Sequence, residues 1–404
     1  MTCTGNHRLT LRILRNVSEI EELRGIWTEW ESNPTTDIDY YISMVRLKPE
    51  IQSPYVMAVY RDGQVDSILV GRVERARVCF KVGYLRLFQP EVRELCFTHG
   101  GFLGNQSAEN SEFVTREIVR CLGRGEADVA RLDHMGIDSS LFEAAKAVPG
   151  ILGRDFFAVT EPHGCLRLPG SHEEFARSLS RKERHHLKRH AEKVKADFPG
   201  EMRIQCFRQE NEIEELVRHT EEVARKTYQR GLGVGFRDDP ETRQWLRTAA
   251  RKGSLRVCIL YLKDAPCAFM IGLKYQQTLH GIDMGYDPQY AEYSLGSLLL
   301  MHWIEDAFEP NGSQSVTEID LGPGDGRHKT AVNNHVSHES TVYIFAPTLK
   351  GLRFNLERTV THLLDRAARK LLSAAFLEKI KKLWRSRAMG SGQVGHGEAI
   401  PVDE

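Results

Sequence analysis

The sequence has no excess of either charge, no Cys-x-x-Cys pair and no long apolar run. Its 55 Lys and Arg balance 55 Asp and Glu, which argues against a protein that binds polyanions over its whole surface. No apolar stretch reaches the length of about 18 residues that a membrane-spanning helix needs. Without a Cys-x-x-Cys pair, the eight cysteines support neither a structural zinc site nor a redox motif, so we predict reduced, buried thiols.

The first residues lack the apolar core of a secretory signal peptide, because Arg8 and Arg12 interrupt the stretch. Together with the reduced thiols, this predicts a cytoplasmic protein, with peripheral attachment to the inner membrane left open. Hydrophobic residues make up 41% of the chain, which is enough for folded cores. The length of 404 residues fits two domains.

The second half has the clearer pattern of elements. Alternating apolar residues and short polar links predict strands, and 3.6-residue periodicity predicts helices. The expected strands are 202–207, 255–262, 266–274, 278–285, 316–322 and 339–346. The expected helices are 210–229, one capped by Asp238 or Asp239 with Pro240 in its first turn, and 295–308, which Asn311-Gly312 ends. A loop, Pro-Gly-Asp-Gly-Arg-His-Lys, follows the strand at 316–322.

The first half predicts a similar order of elements. The expected strands are 8–15, 54–60, 66–74, 80–88, 128–133 and 154–160, and the expected helices are 17–31, 111–123 and 139–147. A long loop holding Thr98 to Phe102 is expected before the second of these helices. The matching order suggests two copies of one fold, in domains 1–164 and 165–349.

Two segments are strongly basic. Residues 180–195 form either a solvated helix or a contact for a phosphate-bearing partner, such as a tRNA or an anionic membrane surface. Residues 350–389 hold eleven Lys and Arg against three acids and predict a basic helical extension, which either packs on the domain or attaches to a membrane. Residues 390–404 are Gly-rich and predict a disordered tail.

Two runs, 286–307 and 319–329, carry a family resemblance. The first is a Tyr-rich loop that opens an apolar helix, and the second is a strand followed by a Gly-rich loop. The matching residues are Tyr293, Ser294 and Gly296 in the first run and Asp320, Gly324, Asp325 and Lys329 in the second. These runs resemble the acetyltransferase-like group called the cellulose-biosynthesis or CelD type, in the GNAT superfamily, near the Fem peptidyltransferases. Leu295 and His328 depart from the usual Pro and Tyr.

The resemblance implies a mixed α/β fold with two GNAT-like domains, each a mostly antiparallel mixed sheet flanked by helices. It also implies transfer of an acyl group, most simply acetyl, from acyl-coenzyme A to an amine or hydroxyl, without a metal. In such folds the pantetheine arm of the donor lies between two splayed strands. Its pyrophosphate lies on the N-terminus of the next helix, where unpaired N–H groups attract anions. The acceptor would be a precursor of polysaccharide, envelope or a related secondary product.

The site residues follow from these roles. A general base must remove the proton of the acceptor, and a group must protonate the leaving thiolate or hold the anionic substrate. We assign catalysis to Asp283, Tyr286, Tyr293 and Lys329. We assign coenzyme binding to Ser294, Gly296, Ser297 and Leu298, and substrate binding to His280, Tyr290, Asp320 and Asp325. Because strand side chains alternate, His280 and Asp283 are expected on opposite faces unless a bulge intervenes.

Structural roles fit several of the same residues. Ser294 can cap an ordinary helix, His280 can be a sheet histidine, the tyrosines can pack a loop, and Asp325 with Lys329 can form a surface pair. Two other functions therefore stay open. One is a Fem-like transferase that takes its acyl group from aminoacyl-tRNA, and the other is a non-catalytic scaffold. The acyl chain length, the acceptor, the role of the first half and the oligomeric state are not determined by the sequence.

Overall fold

The computed structural model describes residues 8–371, except 79, 83–84, 232, 309–315 and 325. The strands are β1 (Leu9–Leu14), β2 (Ile51–Pro54), β3 (Val56–Arg61), β4 (Gln64–Arg77), β5 (Phe80–Val82), β6 (Leu85–Phe88), β7 (Glu91–Gly104), β8 (Val129–Gly136), β9 (Val159–Arg167), β10 (Met202–Phe207), β11 (Leu255–Leu262), β12 (Ala265–Tyr275), β13 (Thr278–Tyr286), β14 (Glu318–Pro323) and β15 (His335–Phe345). The expectation of a mixed α/β fold is confirmed.

The helices follow the same chain order. They are α1 (Val17–Glu21), α2 (Arg24–Trp30), α3 (Ile38–Leu47), α4 (Ala108–Gly123), α5 (Ser140–Ala147), α6 (His172–Ser178), α7 (Arg181–Asp197), α8 (Ile213–Ala224), α9 (Tyr228–Gly231), α10 (Pro240–Arg251), α11 (Leu295–Phe308), α12 (Arg327–Thr330) and α13 (Leu349–Leu371). Short 3-10 turns occupy Pro34–Thr36, Ile151–Gly153, Glu210–Glu212 and Pro288–Tyr293. Within the described residues, no helix is long and apolar enough to cross a bilayer.

The described residues form two compact units. The first holds residues 8–31, 35–161 and 338–371, and the second holds residues 32–34 and 162–337. Most of β15 and all of α13 therefore belong to the first unit, although they follow the second unit in the sequence. The predicted domain boundaries at 164 and 349 stay predictions.

The first unit is built on a sheet with the strand order β1-β3-β4-β7-β8-β15. β2 pairs with residues 72–74 of β4. All these pairs are antiparallel except β7 with β8. One face packs on α4 and α5 through buried residues such as Val114, Ile118 and Leu141. The other face of β1, β3 and β4 packs on α2 and α3 around Trp27 and Tyr41. Burial of these apolar side chains holds the layers together.

The second unit has the strand order β9-β14-β13-β12-β11-β10, and only β13 with β14 is parallel. One face packs on α7 and α11, with Trp303 fully buried in this core. The other face packs on α8 and α10 around Phe269. Ser180 caps α7, where its side chain accepts the amide of Glu183, and Asp239, one of the two expected caps, accepts the amide of Thr242 at the start of α10.

Several local expectations are wrong. The helix expected at 17–31 divides into α1 and α2, and the strand expected at 80–88 is the hairpin of β5 and β6. The loop expected around Thr98 to Phe102 lies inside β7, because these residues continue the ladder with β4. The loop after β14 contains the short helix α12, and α3 was not expected. The expectations for Asn311-Gly312 and for residues beyond 371 lie outside the described residues.

The expectation of reduced thiols fails at one pair. Cys206 on β10 lies directly opposite Cys258 on β11, and their sulfur atoms are bonded across the two strands, with 4.1 Å between the Cα atoms. Because the two cysteines are directly opposite each other on neighbouring antiparallel strands, their side chains come within bonding distance. The described free cysteines are all buried, as expected: Cys96, Cys121, Cys165 and Cys267.

Candidate active site

The parallel strands β13 and β14 pair at one end only. Thr278, Leu279 and His280 are paired with Glu318, Ile319 and Asp320, respectively. Beyond this point β13 runs on to Tyr286 and β14 to Pro323, with no further pairing between them in the described part of the chain. We call this unpaired interval between β13 and β14 the gap. Although the carbonyl of Met284 accepts the side-chain amide of Gln229 at 3.3 Å, backbone groups there that lack a strand partner can pair with an extended ligand.

A bulge on β13 decides where its polar side chains point. Gly281 pairs with Gly272 and Asp283 with Ile271, so Ile282 is an extra residue in the ladder with β12. One extra residue shifts the alternation of faces by one. His280 and Asp283 are therefore opposite Leu273 and Ile271, two side chains of one core on the same face of the sheet. His280 and Asp283 therefore share a face of the sheet. The sequence predicted opposite faces unless a bulge intervenes, and the bulge is present.

Asp320 is the centre of a hydrogen-bonded group at the point where the strands separate. Its Oδ1 lies 2.6 Å from Nε2 of His163, and its Oδ2 lies 3.0 Å from Nδ1 of His280. The amide of Gly322 donates to Oδ1 at 2.7 Å. Burial alone would raise the pKa of Asp320, but the hydrogen bonds from His163 and His280 outweigh it and hold that pKa well below its usual range. Asp320 is thus a fixed anion that orients both imidazoles.

The same corner offers a set of donor atoms of the kind that bind metals. Atoms of His163, Cys165 and Asp320 lie within 4.8 Å of one another. The contact between His163 and Asp320 has the length of a hydrogen bond, and each histidine already has the carboxylate as its partner. The geometry is accounted for by hydrogen bonding without an ion.

Asp283 lies in a different environment from Asp320. Burial raises its pKa to about 6, although the amides of Phe236 and Met284 and the charge of Arg230 act in the opposite direction. Its Oδ2 lies near Gly235, 3.8 Å from the position that a Cβ atom would take there. A carboxyl group with this pKa is ionised at neutral pH and still accepts a proton readily, which suits a general base.

Helix α11 begins beside the end of β13. Ser294 has a left-handed backbone, with φ of 50°, and its carbonyl accepts the amides of Ser297 at 3.0 Å and Leu298 at 3.2 Å. Gly296 lies against the strand, because a Cβ atom there would be 3.4 Å from Met284 Cε and 3.7 Å from Tyr286. The first amides of a helix have no partner within it, and they carry the positive end of its dipole. This end can hold a phosphate group.

The turn before α11 is anchored by Lys226, which follows α8, and by β12. Asp287 is buried, caps the amide of Gln289 and pairs with Lys226 Nζ at 2.9 Å. Its own amide donates to the carbonyl of Cys267 at 2.8 Å. Burial acts against the charge of Lys226, but the bond to Asp287 prevails and raises the pKa of that amine. These contacts fix the position at which α11 starts.

The three tyrosines of this turn have different surroundings. The Tyr293 hydroxyl donates to Asp197 at the end of α7 at 2.9 Å, and this hydrogen bond raises the pKa of the phenol. Tyr290 packs edge-on against Phe198. Tyr286 ends β13 and is 41% exposed. The structural role suggested for these residues thus fits Tyr290 and Tyr293, whereas Tyr286 is open to a ligand.

The Gly-rich loop after β14 holds Lys329 close to the backbone. Its amine donates to the carbonyl of Pro323 and lies 3.9 Å from the Cβ positions of Gly322 and Gly324. Asp325 lies outside the described residues, so its expected pairing with Lys329 stays a prediction. Lys329 brings a positive charge to the end of the strand that carries Asp320.

Sequence reasoning missed His163, Asp287 and Lys226. The strand that carries His163 was expected to end at 160, but β9 continues to Arg167. Residues 163–167 carry no clear alternation that predicts this continuation, and the strand is recognised from the pairing of Cys165 with Asp320, two residues from His163. The pairing of Asp287 with Lys226 joins residues 61 positions apart and has no local signal.

Part of the chain is similar to a known family. Residues 181–330 match the family model described as an acetyltransferase (GNAT) domain. The matched residues include β10 to β14, with α7 and α11. No curated protein matches the chain.

Two solved structures of low sequence identity share the fold over most of this chain. FemX is 10% identical, with a TM-score of 0.53 over 88% of this chain and 100% of FemX. The C-terminal domain (DUF2156) of a putative lysylphosphatidylglycerol synthetase from Agrobacterium fabrum is also 10% identical, with a TM-score of 0.50 over 85% of this chain and 96% of that chain. A tandem GNAT protein from the clavulanic acid biosynthesis pathway is 12% identical, with a TM-score of 0.47 over 84% and 99%.

Proposed function

We propose that the protein is an acyltransferase that moves an acyl group, most simply acetyl, from acyl-coenzyme A to an amine or hydroxyl. The observation that carries the proposal is the separation of β13 from β14 beside the start of α11. The pantetheine arm would lie in the gap and pair with β13. The diphosphate would accept hydrogen bonds from the amides of Leu295 and Gly296, with Ser297 and Leu298 beside it.

The chemistry requires a base and an orienting group. We assign the base to Asp283, which takes the proton of the acceptor as its nitrogen or oxygen attacks the thioester carbonyl carbon. The carbon–sulfur bond then breaks, and the thiolate of coenzyme A takes a proton from Tyr286 or from water. His280, oriented by Asp320, would hold the acceptor on the same face as Asp283. Placing the reactants within about 3–3.5 Å supplies much of the rate enhancement.

The remaining site residues have supporting roles in this proposal. Lys329 would hold an anionic group of the acceptor. Asp325 would hold a cationic group. Tyr290 and Tyr293 would form the wall of the acceptor pocket. The resemblance to the CelD type favours an acceptor from polysaccharide, envelope or secondary-product synthesis, in the cytoplasm. No metal enters the scheme.

A second candidate has an observation in its favour. Helix α7 exposes Arg181, Lys182, Lys188 and Arg189, which form a basic surface of the kind that contacts RNA phosphates. A Fem-like transferase that uses aminoacyl-tRNA would need such a surface, and FemX has the same fold. RNA binding that weakens steeply with salt, without stabilisation by acyl-coenzyme A, would favour this candidate over the first.

The test is a thermal-shift and calorimetric titration with acetyl-, longer acyl- and free coenzyme A, followed by detection of released thiol with a panel of amines and alcohols. Binding to coenzyme A raises the melting temperature in proportion to the logarithm of ligand concentration. Binding with thiol release supports the transferase. Absence of binding to any coenzyme A form contradicts it. Binding without release with any acceptor would favour the scaffold.

A further inference from the structure

Two cysteines and a histidine of the second unit form a cluster of soft ligand atoms. Cys206 on β10 and Cys258 on β11 are directly opposite each other. Cys258 belongs to the core that includes α11, and Nε2 of His302 on that helix lies 4.0 Å from Sγ of Cys206. The three ligand atoms lie within 4.8 Å of one another. Thiolate sulfur and imidazole nitrogen together are a ligand set that suits zinc.

The spacing of these atoms fits a tetrahedral ion once the disulfide is reduced. Zinc lies at about 2.3 Å from sulfur and at about 2.0–2.1 Å from nitrogen. At tetrahedral angles two sulfur ligands are therefore about 3.8 Å apart, and a sulfur and a nitrogen about 3.5 Å apart. Sγ of Cys206 and Nε2 of His302 are 4.0 Å apart, so a small side-chain rotation closes the difference. The two sulfur atoms can separate when the bond between them is broken.

The backbone keeps the three residues together without the disulfide. The ladder of β10 and β11 pairs residues 202–207 with residues 257–262, and both cysteines lie inside it. Helix α11 packs on the same core through Trp303, which is fully buried. Reduction removes one covalent bond and leaves these contacts in place. The thiols and the imidazole therefore stay close together, and little order has to be gained when an ion binds.

The surroundings of His302 favour coordination through Nε2. Its other nitrogen, Nδ1, lies 3.8 Å from Oε2 of Glu305, three residues further along α11. Histidine ligands of metals commonly direct their second nitrogen to a carboxylate, which fixes the tautomer and the ring. The side chain of His302 is 40% exposed, so water can reach a fourth position. The cation of Arg208, two residues from Cys206, is balanced by its pairing with Asp306.

The ligand set also selects among metals. Mg²⁺ and Ca²⁺ prefer oxygen ligands, whereas two thiolates and an imidazole suit Zn²⁺. The expectation that the cysteines form no zinc site rested on the absence of a Cys-x-x-Cys pair. Here the two sulfur ligands come from neighbouring strands and are 52 residues apart in the sequence. Metal binding and the disulfide exclude each other, because a sulfur atom bonded to another sulfur is not a thiolate.

We propose that the reduced protein binds one zinc ion through Cys206, Cys258 and His302, with water in the fourth position, and that formation of the disulfide releases the ion. A phosphine or dithiol reductant supplies two electrons, the sulfur–sulfur bond breaks, and two thiols form. Zinc binding then forms two bonds to sulfur and one to nitrogen and releases both thiol protons.

The reverse step needs an oxidant, and hydrogen peroxide serves. It accepts two electrons from the two thiolates and two protons from solvent and leaves as two water molecules, while the disulfide forms and Zn²⁺ departs. The site uses neither Asp283 nor the start of α11, so it is independent of the proposed transferase chemistry.

The test is titration of the full chain with Co²⁺ and then Zn²⁺, after reduction with a phosphine and removal of the reductant under argon. We expect one equivalent of Co²⁺ with sulfur-to-cobalt charge-transfer absorption, and its displacement by Zn²⁺. Hydrogen peroxide should release about one equivalent of zinc to a chromogenic chelator, and the oxidised protein should bind neither ion. X-ray absorption of the zinc form should show two sulfur neighbours at about 2.3 Å.

Variants assign the ligands. Cys206→Ser and His302→Gln should each weaken zinc binding at least about a hundredfold, and Glu305→Gln, which changes only the residue that positions His302, about tenfold. Cys121→Ser is the matched control, because it removes a buried thiol of the first unit, outside the cluster, and should bind zinc as the wild type does. Circular dichroism verifies that each variant folds.

Three results would overturn the proposal. One is that the reduced wild-type chain binds neither Co²⁺ nor Zn²⁺, or that the oxidised chain binds them equally well. The second is wild-type affinity in Cys206→Ser or in His302→Gln. The third is an X-ray absorption spectrum of the zinc form without sulfur neighbours, a measurement that needs no variant.

Discussion

A carboxyl group on a strand face that packs against apolar side chains resists ionisation, and Asp283 is in that position. Its pKa of about 6 contrasts with that of Asp320, which two imidazoles and an amide keep ionised. Two acids on neighbouring strands thus differ in proton affinity because of what surrounds each one. The sequence predicted both acids as site residues, but it could not predict the difference, because His163 and the amide of Phe236 come from distant parts of the chain.

The raised pKa of Asp283 makes stability depend on pH. The folded value of about 6 lies above the unfolded value of about 3.9, so the folded state holds the extra proton between them. The contribution of Asp283 to stability is therefore full below about pH 4 and is lost as the pH rises through 6. Asp283→Asn should match wild type near pH 4 and exceed it at pH 7 by roughly 1–3 kcal/mol in urea unfolding. Catalysis by the same variant should fall by about 10²–10⁴.

The control for this variant is Asp264→Asn, which removes a charge from the exposed turn between β11 and β12. Its unfolding curve should follow wild type at both pH values. If Asp283→Asn were as pH-dependent as wild type between pH 4 and 7, the environment described for Asp283 would be wrong. Retention of full thiol release would remove Asp283 from the chemistry.

Helix α11 and the hairpin of β12 and β13 are the elements that shape the site. Their bounds were predicted within one or two residues, because the periodicity of 295–308 and the short links between strands are strong local signals. The bulge at Ile282 was not predicted, because Gly281 beside it does not by itself fix a bulge, whose position depends on the register with β12. That one residue decides that His280 and Asp283 share a face.

The start of α11 gives a prediction that separates ligand binding from folding. Ser297→Glu places a carboxylate in the first turn, where the helix dipole favours it and stability should be unchanged or slightly higher. The same charge would repel a diphosphate, so affinity for acetyl-coenzyme A should fall at least about tenfold, an effect of more than about 1.4 kcal/mol. Calorimetric titration measures the affinity. Ser297→Ala is the control, because it adds no charge and should bind acetyl-coenzyme A as the wild type does. Equal affinity of the two variants would exclude this helix end as the diphosphate site.

The contact between α11 and β12 depends on a glycine. A Cβ atom at Gly272 would lie 2.1 Å from the buried ring of Trp303, so the helix could not keep its distance from the sheet. Gly272→Ala should lower the free energy of unfolding by about 1–3 kcal/mol or more, as overpacking does. Chemical denaturation measures it, with Gly136→Ala as the control, since nothing lies within 4 Å of a Cβ atom there. A neutral Gly272→Ala would show that α11 lies farther from β12 than described.

At the scale of the whole molecule, the two units explain what the sequence could and could not predict. The similar order of elements in the two halves was visible, because each half has its own runs of strands and helices. The return of β15 and α13 to the first unit was not visible, since it rests on pairing of β15 with β8, about 200 residues earlier. Local patterns predict elements, whereas long-range strand pairing decides which unit an element joins.

The central claim is that the gap between β13 and β14, together with the start of α11, receives acyl-coenzyme A. Hydrogen exchange followed by mass spectrometry, with and without acetyl-coenzyme A, tests it directly, because bound pantetheine and diphosphate would cover amides that face the gap. The account predicts slower exchange in peptides covering 281–286 and 295–298, and loss of that protection at 295–298 in Ser297→Glu. Unchanged exchange in both peptides at a saturating concentration of acetyl-coenzyme A, or protection confined to other parts of the chain, would contradict it.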